Sequence, residues 1–208
     1  MDNRISEILE ENAGKFNNKE IDSTQMLKKV EEFFDQCTDF DDVEKLISYC
    51  LYDESGAGIV VAKSLAQRAV TQRAQGKIGP TDRFGKSVSQ AVENLILAKS
   101  FAQYATPHDK NEFMMYFNKA NELASDSFDY RLLAGRLYEA CRDIGDPTID
   151  PDFVRTKTLM QRAVDLSVQE NSLPGLEDME SMAKTQINDK DYAKSITALK
   201  KKVKKANQ

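Results

Sequence analysis

His108 is the sole histidine of the 208-residue chain, and Cys37, Cys50 and Cys141 are its three cysteines. Together they bound the available chemistry. One imidazole excludes any centre that needs two, including the Glu-x-x-His pairs of di-iron bundles and the common zinc hydrolase patterns. The cysteines are odd in number, widely spaced and without a Cys-x-x-Cys, so neither a zinc ribbon nor a dithiol redox motif is available. His108 lies in Thr106-Pro107-His108-Asp109-Lys110 with no nucleophile beside it, and reads as a surface residue at a helix start. Cys50 and Cys141 fall on apolar helical faces and read as small core residues.

Other patterns with chemical potential fail on context. Gly85-Lys86-Ser87 matches the end of a phosphate-binding loop, but Pro80 stands where the first glycine belongs and no strand precedes it. Lys86 is then an ordinary exposed lysine. The carboxylate pairs Glu10-Glu11, Glu31-Glu32, Asp41-Asp42 and Asp53-Glu54 fall at helix starts or in polar stripes, without the convergence that acid–base work requires. Asp41 and Asp42 suit a first helical turn, where negative charge complements the dipole. No Gly-x-Ser-x-Gly or Cys–His signature occurs. These observations predict a protein that is not an enzyme, with no cofactor and no metal.

The net charge of −5 is the remainder of larger local imbalances. Residues 1–60 carry 15 acids and 6 bases, 61–120 carry 4 and 9, 121–180 carry 13 and 6, and 181–208 carry 2 and 8. Blocks alternating in sign imply neighbouring elements that attract one another or solvated faces of different sign, with a dedicated anion-binding face as the alternative. The densest run is Lys200, Lys201, Lys202, Lys204 and Lys205, on a terminal helix, and a second basic stretch spans 61–90. Within that stretch Arg68 and Arg73 fall about 140° apart around a helix, so they do not make one patch. Hydrophobic content of 40% and charged content of 30% describe a soluble globular chain. No apolar run approaches the length of a membrane span, so no transmembrane segment is expected. Three free thiols, and an N-terminus without the apolar core of a signal peptide, predict a cytoplasmic protein.

Helical periodicity runs through nearly every segment. Met26, Leu27, Val30, Phe33, Phe34 and Cys37 fall at helical steps behind Asp22 and Ser23 as caps. Val43, Leu46, Ile47, Cys50 and Leu51 repeat the pattern, and Ile59, Ala62, Leu65, Ala66, Ala69 and Val70 follow the Gly56-Ala57-Gly58 break. A long striped segment is expected from about 82 to 105, with further helices near 3–12, 109–124, 128–144, 152–168, 175–188 and 190–205. Pro80, Pro107, Gly145 with Pro147, and Pro174 with Gly175 separate them. The expected class is all-α, about ten helices. Residues 1–40 would form N-terminal helices packed on an array spanning 41–208, one compact domain overall.

An internal repeat organises that array. Leu65-Ala-Gln-Arg-Ala-Val70 recurs as Leu159-Met-Gln-Arg-Ala-Val164, and Tyr116-Phe-Asn-Lys-Ala-Asn-Glu-Leu123 occupies the place between them, aligning Ala69, Ala120 and Ala163. The helix preceding each supplies a small residue and, three later, a large one: Ser48 and Leu51, Ala98 and Phe101, Gly135 and Tyr138. A small side chain lets helix backbones approach, and the large one fills the groove beside it. Over roughly 41–168 this pattern resembles tetratricopeptide and Sel1-like helical repeats, best at Gly135-x-x-Tyr138 with Ala163, with a longer inter-helix loop from Asp146 to Asp152. A non-repetitive helical bundle is the alternative architecture.

The resemblance implies an α-solenoid adaptor whose groove, lined by the first helix of each pair, binds another protein. Counting from the small residues nominates Tyr49, Tyr52, Lys99, Gln103, Arg136 and Glu139 as partner-binding. The alternative function is a nucleic-acid-associated accessory protein using the basic 61–90 and 200–205 segments.

Overall fold

Apolar residues spaced three and four apart give ten α-helices among the described residues of the computed structural model, which are 4–52, 57–83, 86–104 and 110–206. In chain order they are α1 (Arg4–Asn17), α2 (Ser23–Phe33), α3 (Phe40–Leu51), α4 (Ala57–Ala74), α5 (Gln90–Tyr104), α6 (Lys110–Leu123), α7 (Ser127–Ile144), α8 (Val154–Gln169), α9 (Leu173–Thr185) and α10 (Lys190–Ala206). The chain is all-α, and its helices pack in pairs. Asp53, Glu54, Gly56, Gly85, Pro107 and His108 lie outside the described residues.

Side-chain caps place several helix starts. Asp22 accepts from the Gln25 N–H while the Gln25 side chain accepts from the Asp22 N–H, a reciprocal capping box. Asp39 accepts from the Asp42 N–H and Asp126 from the Asp129 N–H, satisfying amides that a helix start leaves without partners. Gly145 ends α7 at φ 70°, a left-handed conformation that glycine adopts without strain. The expected helix from 82 is not observed. Asp82–Arg83 pairs antiparallel with Lys86–Ser87, and α5 begins only at Gln90. The Ser89 hydroxyl accepts from the Val92 N–H and so caps α5 eight residues after the position that periodicity suggested.

The structure comprises two units, Met1–Tyr116 and Phe117–Gln208. In the first, α3 packs on α4 and α5, while α2 packs on α4. Val43, Leu46 and Ile47 of α3, Leu65 and Ala69 of α4, and Leu97 and Phe101 of α5 are buried. In the second, α7 packs on α8, α9 on α10, and α8 and α7 both meet α9. Leu133, Leu137, Met160, Ala163, Leu176 and Ile196 form its core, each large side chain contributing about 1.5–3 kcal/mol by leaving water. The aligned Ala69, Ala120 and Ala163 are all buried.

Opposite charges meet within each unit, the first of the arrangements that the alternating blocks imply. Arg68 of α4 reaches Asp35 (3.1 Å) and Glu31 (3.7 Å), and lies over the Phe34 ring. Arg83 pairs with Asp41 and Glu44 of α3, and Arg73 with Glu93 at 2.9 Å. In the second unit Glu180 of α9 is held by Lys184 (2.5 Å), Lys200 of α10 (2.7 Å) and the Thr197 hydroxyl (2.7 Å).

The two helical glycines behave oppositely. A Cβ on Gly175 would lie 2.2 Å from the Ser167 hydroxyl of α8, so α8 and α9 approach closely there. A Cβ on Gly135 would meet nothing within 4 Å, so the close approach that the repeat pattern assigns to Gly135 is absent. Gly175→Ala is therefore expected to destabilise by about 1–3 kcal/mol through overpacking, with Ser167→Ala recovering part of the loss. Gly135→Ala is expected to stabilise by about 0.5–1 kcal/mol, since alanine loses less entropy in a helix. Denaturant unfolding of the four proteins reads both signs.

The pairing of Glu180 also fixes a pH dependence. Hydrogen bonds from Lys184, Lys200 and Thr197 lower its carboxyl from the ordinary 4.5 to about 2. A carboxylate with a depressed folded value contributes stability above the unfolded value and loses it as pH falls. The contribution of Glu180 should disappear between about pH 4.5 and pH 2, and Glu180→Gln should flatten that part of the stability profile.

Candidate functional site

α7 presents two unlike faces. Leu133, Ala134, Leu137 and Ala140 turn toward the core. Arg131, Gly135, Tyr138 and Arg142 follow one another at steps of four, three and four and form a stripe, the first three half-buried and Arg142 exposed. Two concavities open along this stripe within the second unit.

The first is a groove of about 260 Å³ between α7 and α9. Phe128, Leu132 and Gly135 line one side, and Asp178 and Met182 the other. Arg131 bridges it to Asp178, with its guanidinium over the Phe128 ring and its Nε buried without a hydrogen-bond partner. Gly135, with no Cβ, leaves the middle of this wall uncovered.

The second is a cleft of about 500 Å³ where α7 ends and α8 begins. Tyr138, Cys141 and Arg142 line it from α7, and Pro147, Pro151 and Phe153 from the connection. The Tyr138 and Phe153 rings stand 5.4 Å apart, tilted by 39°. Cys141 is half-buried and forms a cleft wall, which corrects its reading as a core residue. Burial, with the charges of Asp150 and Asp146, raises its thiol above the ordinary cysteine value.

The connection owes its shape to Asp150. This carboxylate, 3% exposed, accepts from the Arg155 N–H (2.8 Å), the Thr156 N–H (2.8 Å) and the Thr156 hydroxyl (2.6 Å). It thereby caps α8 from outside, and the intervening Asp152 and Phe153 adopt left-handed φ values of 55° and 56°. Asp146 accepts from the Thr148 N–H and hydroxyl, and Asp143 accepts from Arg142 Nε at 3.0 Å. Asp152, exposed, stands at the cleft mouth.

The nominated partner-binding residues lie elsewhere. Tyr49, Tyr52, Lys99 and Gln103 belong to the first unit. Tyr52 and Gln103 are exposed, Lys99 is half-buried, and Tyr49 is half-buried with its hydroxyl lacking a partner and raised by burial. Arg136 and Glu139 of α7 pair with each other at 2.5 Å and line neither concavity. In the tail, Lys201, Lys202, Lys204 and Lys205 are exposed around a buried Val203, whereas Lys200 is engaged by Glu177 and Glu180. Sequence reasoning missed Arg131, Tyr138 and Phe153 as surface-forming residues. The long Asp146–Asp152 loop was the available signal.

Among the described residues, no group of three or more His, Cys, Asp and Glu side chains is placed to hold a metal ion, and no helix is long and apolar enough to cross a membrane. No protein-family model, curated protein or solved structure matches the chain.

Proposed function

We propose that the protein is a non-catalytic adaptor that docks a polypeptide partner along the Arg131–Arg142 stripe of α7, in the manner of tetratricopeptide and Sel1-like arrays. In such arrays successive first helices line the binding groove. Here α7 and α9 are the first helices of two adjacent pairs, and a groove lies between them. The observation that carries the proposal is Gly135, whose missing side chain keeps the groove open at its centre without any close helix contact requiring it. Phe128, Leu132 and Met182 offer apolar surface, and Arg131 and Asp178 offer both charges, a mixture suited to a peptide chain. Three unbridged cysteines suit a cytoplasmic setting. Recruitment of nucleic acid is the weaker alternative, because Arg68, Arg73, Arg83 and Lys200 are all engaged by carboxylates.

Filling the groove tests the proposal without disturbing the core. Gly135→Trp should reduce capture of polypeptide from an extract of the source cells about tenfold or more, the loss expected when a central contact is blocked. Gly135→Ala, which fills far less of the groove, should lose much less capture, and neither variant should melt below the natural chain. Equal capture by the tryptophan variant would remove the groove from consideration.

A further inference from the structure

The cleft at the end of α7 has a charge and a lining that the groove lacks. Of its charged groups, Asp150 and Asp152 are acidic, and Arg142 is already matched by Asp143 at 3.0 Å. Pro147 and Pro151 present no N–H, and the Phe153 N–H is spent on the Asp150 carbonyl at 3.1 Å. An anion entering the cleft would find few donors in this wall. A cation would find the opposite: two aromatic rings, Tyr138 and Phe153, in a lining that also holds an exposed carboxylate, Asp152. Ring faces and a nearby carboxylate attract cations, and a volume of about 500 Å³ accommodates a long side chain with room to spare.

We propose that this cleft receives a basic side chain, arginine or lysine, of the docked polypeptide, its aliphatic stem against Tyr138 and Phe153 and its charge beside Asp152. The assignment rests on the docking of a polypeptide along α7, since Tyr138 and Arg142 continue the stripe that begins at Arg131 and Gly135. It adds a sign: the partner segment is basic where it reaches the end of α7.

Amide chemical shifts of the full ¹⁵N-labelled chain give a direct test, using N-acetyl-arginine methylamide as probe. Saturable shifts are expected at Tyr138, Cys141, Gly145 and Phe153. N-acetyl-citrulline methylamide, of the same shape but neutral, should bind about fivefold more weakly or worse, as removal of the cation demands. Asp152→Asn should weaken the arginine probe about threefold, and Arg142→Gln, which removes a like charge from the cleft wall, should tighten it by a similar factor, these being exposed charges of modest strength. Equal binding of arginine and citrulline probes, preference for N-acetyl-glutamate methylamide, or indifference to Asp152→Asn would overturn the assignment. If the arginine probe fails while Gly135→Trp still loses its polypeptide, the cleft assignment falls and the groove survives. If the probe binds as expected while Gly135→Trp captures normally, the groove falls and the cation preference of the cleft stands.

Discussion

The open face of the second unit depends on the carboxylate of Asp150. Removing an ionised carboxylate from water costs several kcal/mol unless the protein replaces the lost hydrogen bonds. Three donors from the start of α8 do so, and the helix N-terminus adds its favourable field. Because Asp150 reaches forward to Arg155 and Thr156, the residues between must double back over a very short span. Asp152 and Phe153 absorb that demand at positive φ, a conformation costing about 1–3 kcal/mol for residues other than glycine. Asparagine and aspartate tolerate it best; phenylalanine does not. The strain persists because the capping bonds and the Phe153–Asp150 backbone bond leave no cheaper path, and its product is an aromatic ring held against Tyr138.

Among the described residues, exposed ion pairs stand beside pairs whose carboxylate is buried, at Glu180 and at Glu93. Pairs such as Arg68–Asp35 are exposed, and each contributes about 0–1 kcal/mol. Glu93 differs, being 1% exposed, with one oxygen shared between Arg73 Nε and the Thr81 N–H and the other buried without a partner. Burial raises its carboxyl against the opposing pull of Arg73 and Thr81. Its structural consequence is local and definite: it ties the entry of the 82–87 hairpin to the end of α4 and the first turn of α5. The basic residues of 61–90 are thus consumed largely in holding the first unit together, which diminishes what they offer to an external polyanion.

The helices were legible because a repeat of 3.6 residues in the apolar positions is enforced by burial along whole elements. The cap at Asp22 was legible for a related reason, since short acceptor side chains satisfy amides that helix geometry always leaves open, whereas α3 is capped by Asp39, two residues before the Asp41 and Asp42 that the pattern placed at its start. The start of α5 was not legible, because an antiparallel pairing of 82–83 with 86–87 precedes the capping hydroxyl of Ser89, and the Thr81 N–H before it is held by Glu93, twelve residues on, a contact no local pattern encodes. The nominated site residues were chosen by counting along the helix. Counting outward from Gly135 to Arg136 and Glu139 chose positions that pair with each other, whereas the concavities use Arg131, Gly135, Tyr138 and Arg142. The phase of a helix relative to its neighbours is set by tertiary packing, and spacing alone leaves it free.

Glycine shows most plainly why that phase matters. In sequence, Gly135 and Gly175 are both small residues within helical segments, and both invite an explanation by close helix contact. Only Gly175 has one, with Ser167 so near that a methyl group would have to displace it. At Gly135 the missing side chain faces outward, where it relieves no crowding and costs helix stability of about 0.5–1 kcal/mol. A destabilising choice on an open face has no purpose in folding, since alanine would fold better. What it leaves is an uncovered stretch of the groove wall beside the Arg131–Asp178 bridge, one turn before Tyr138 meets Phe153.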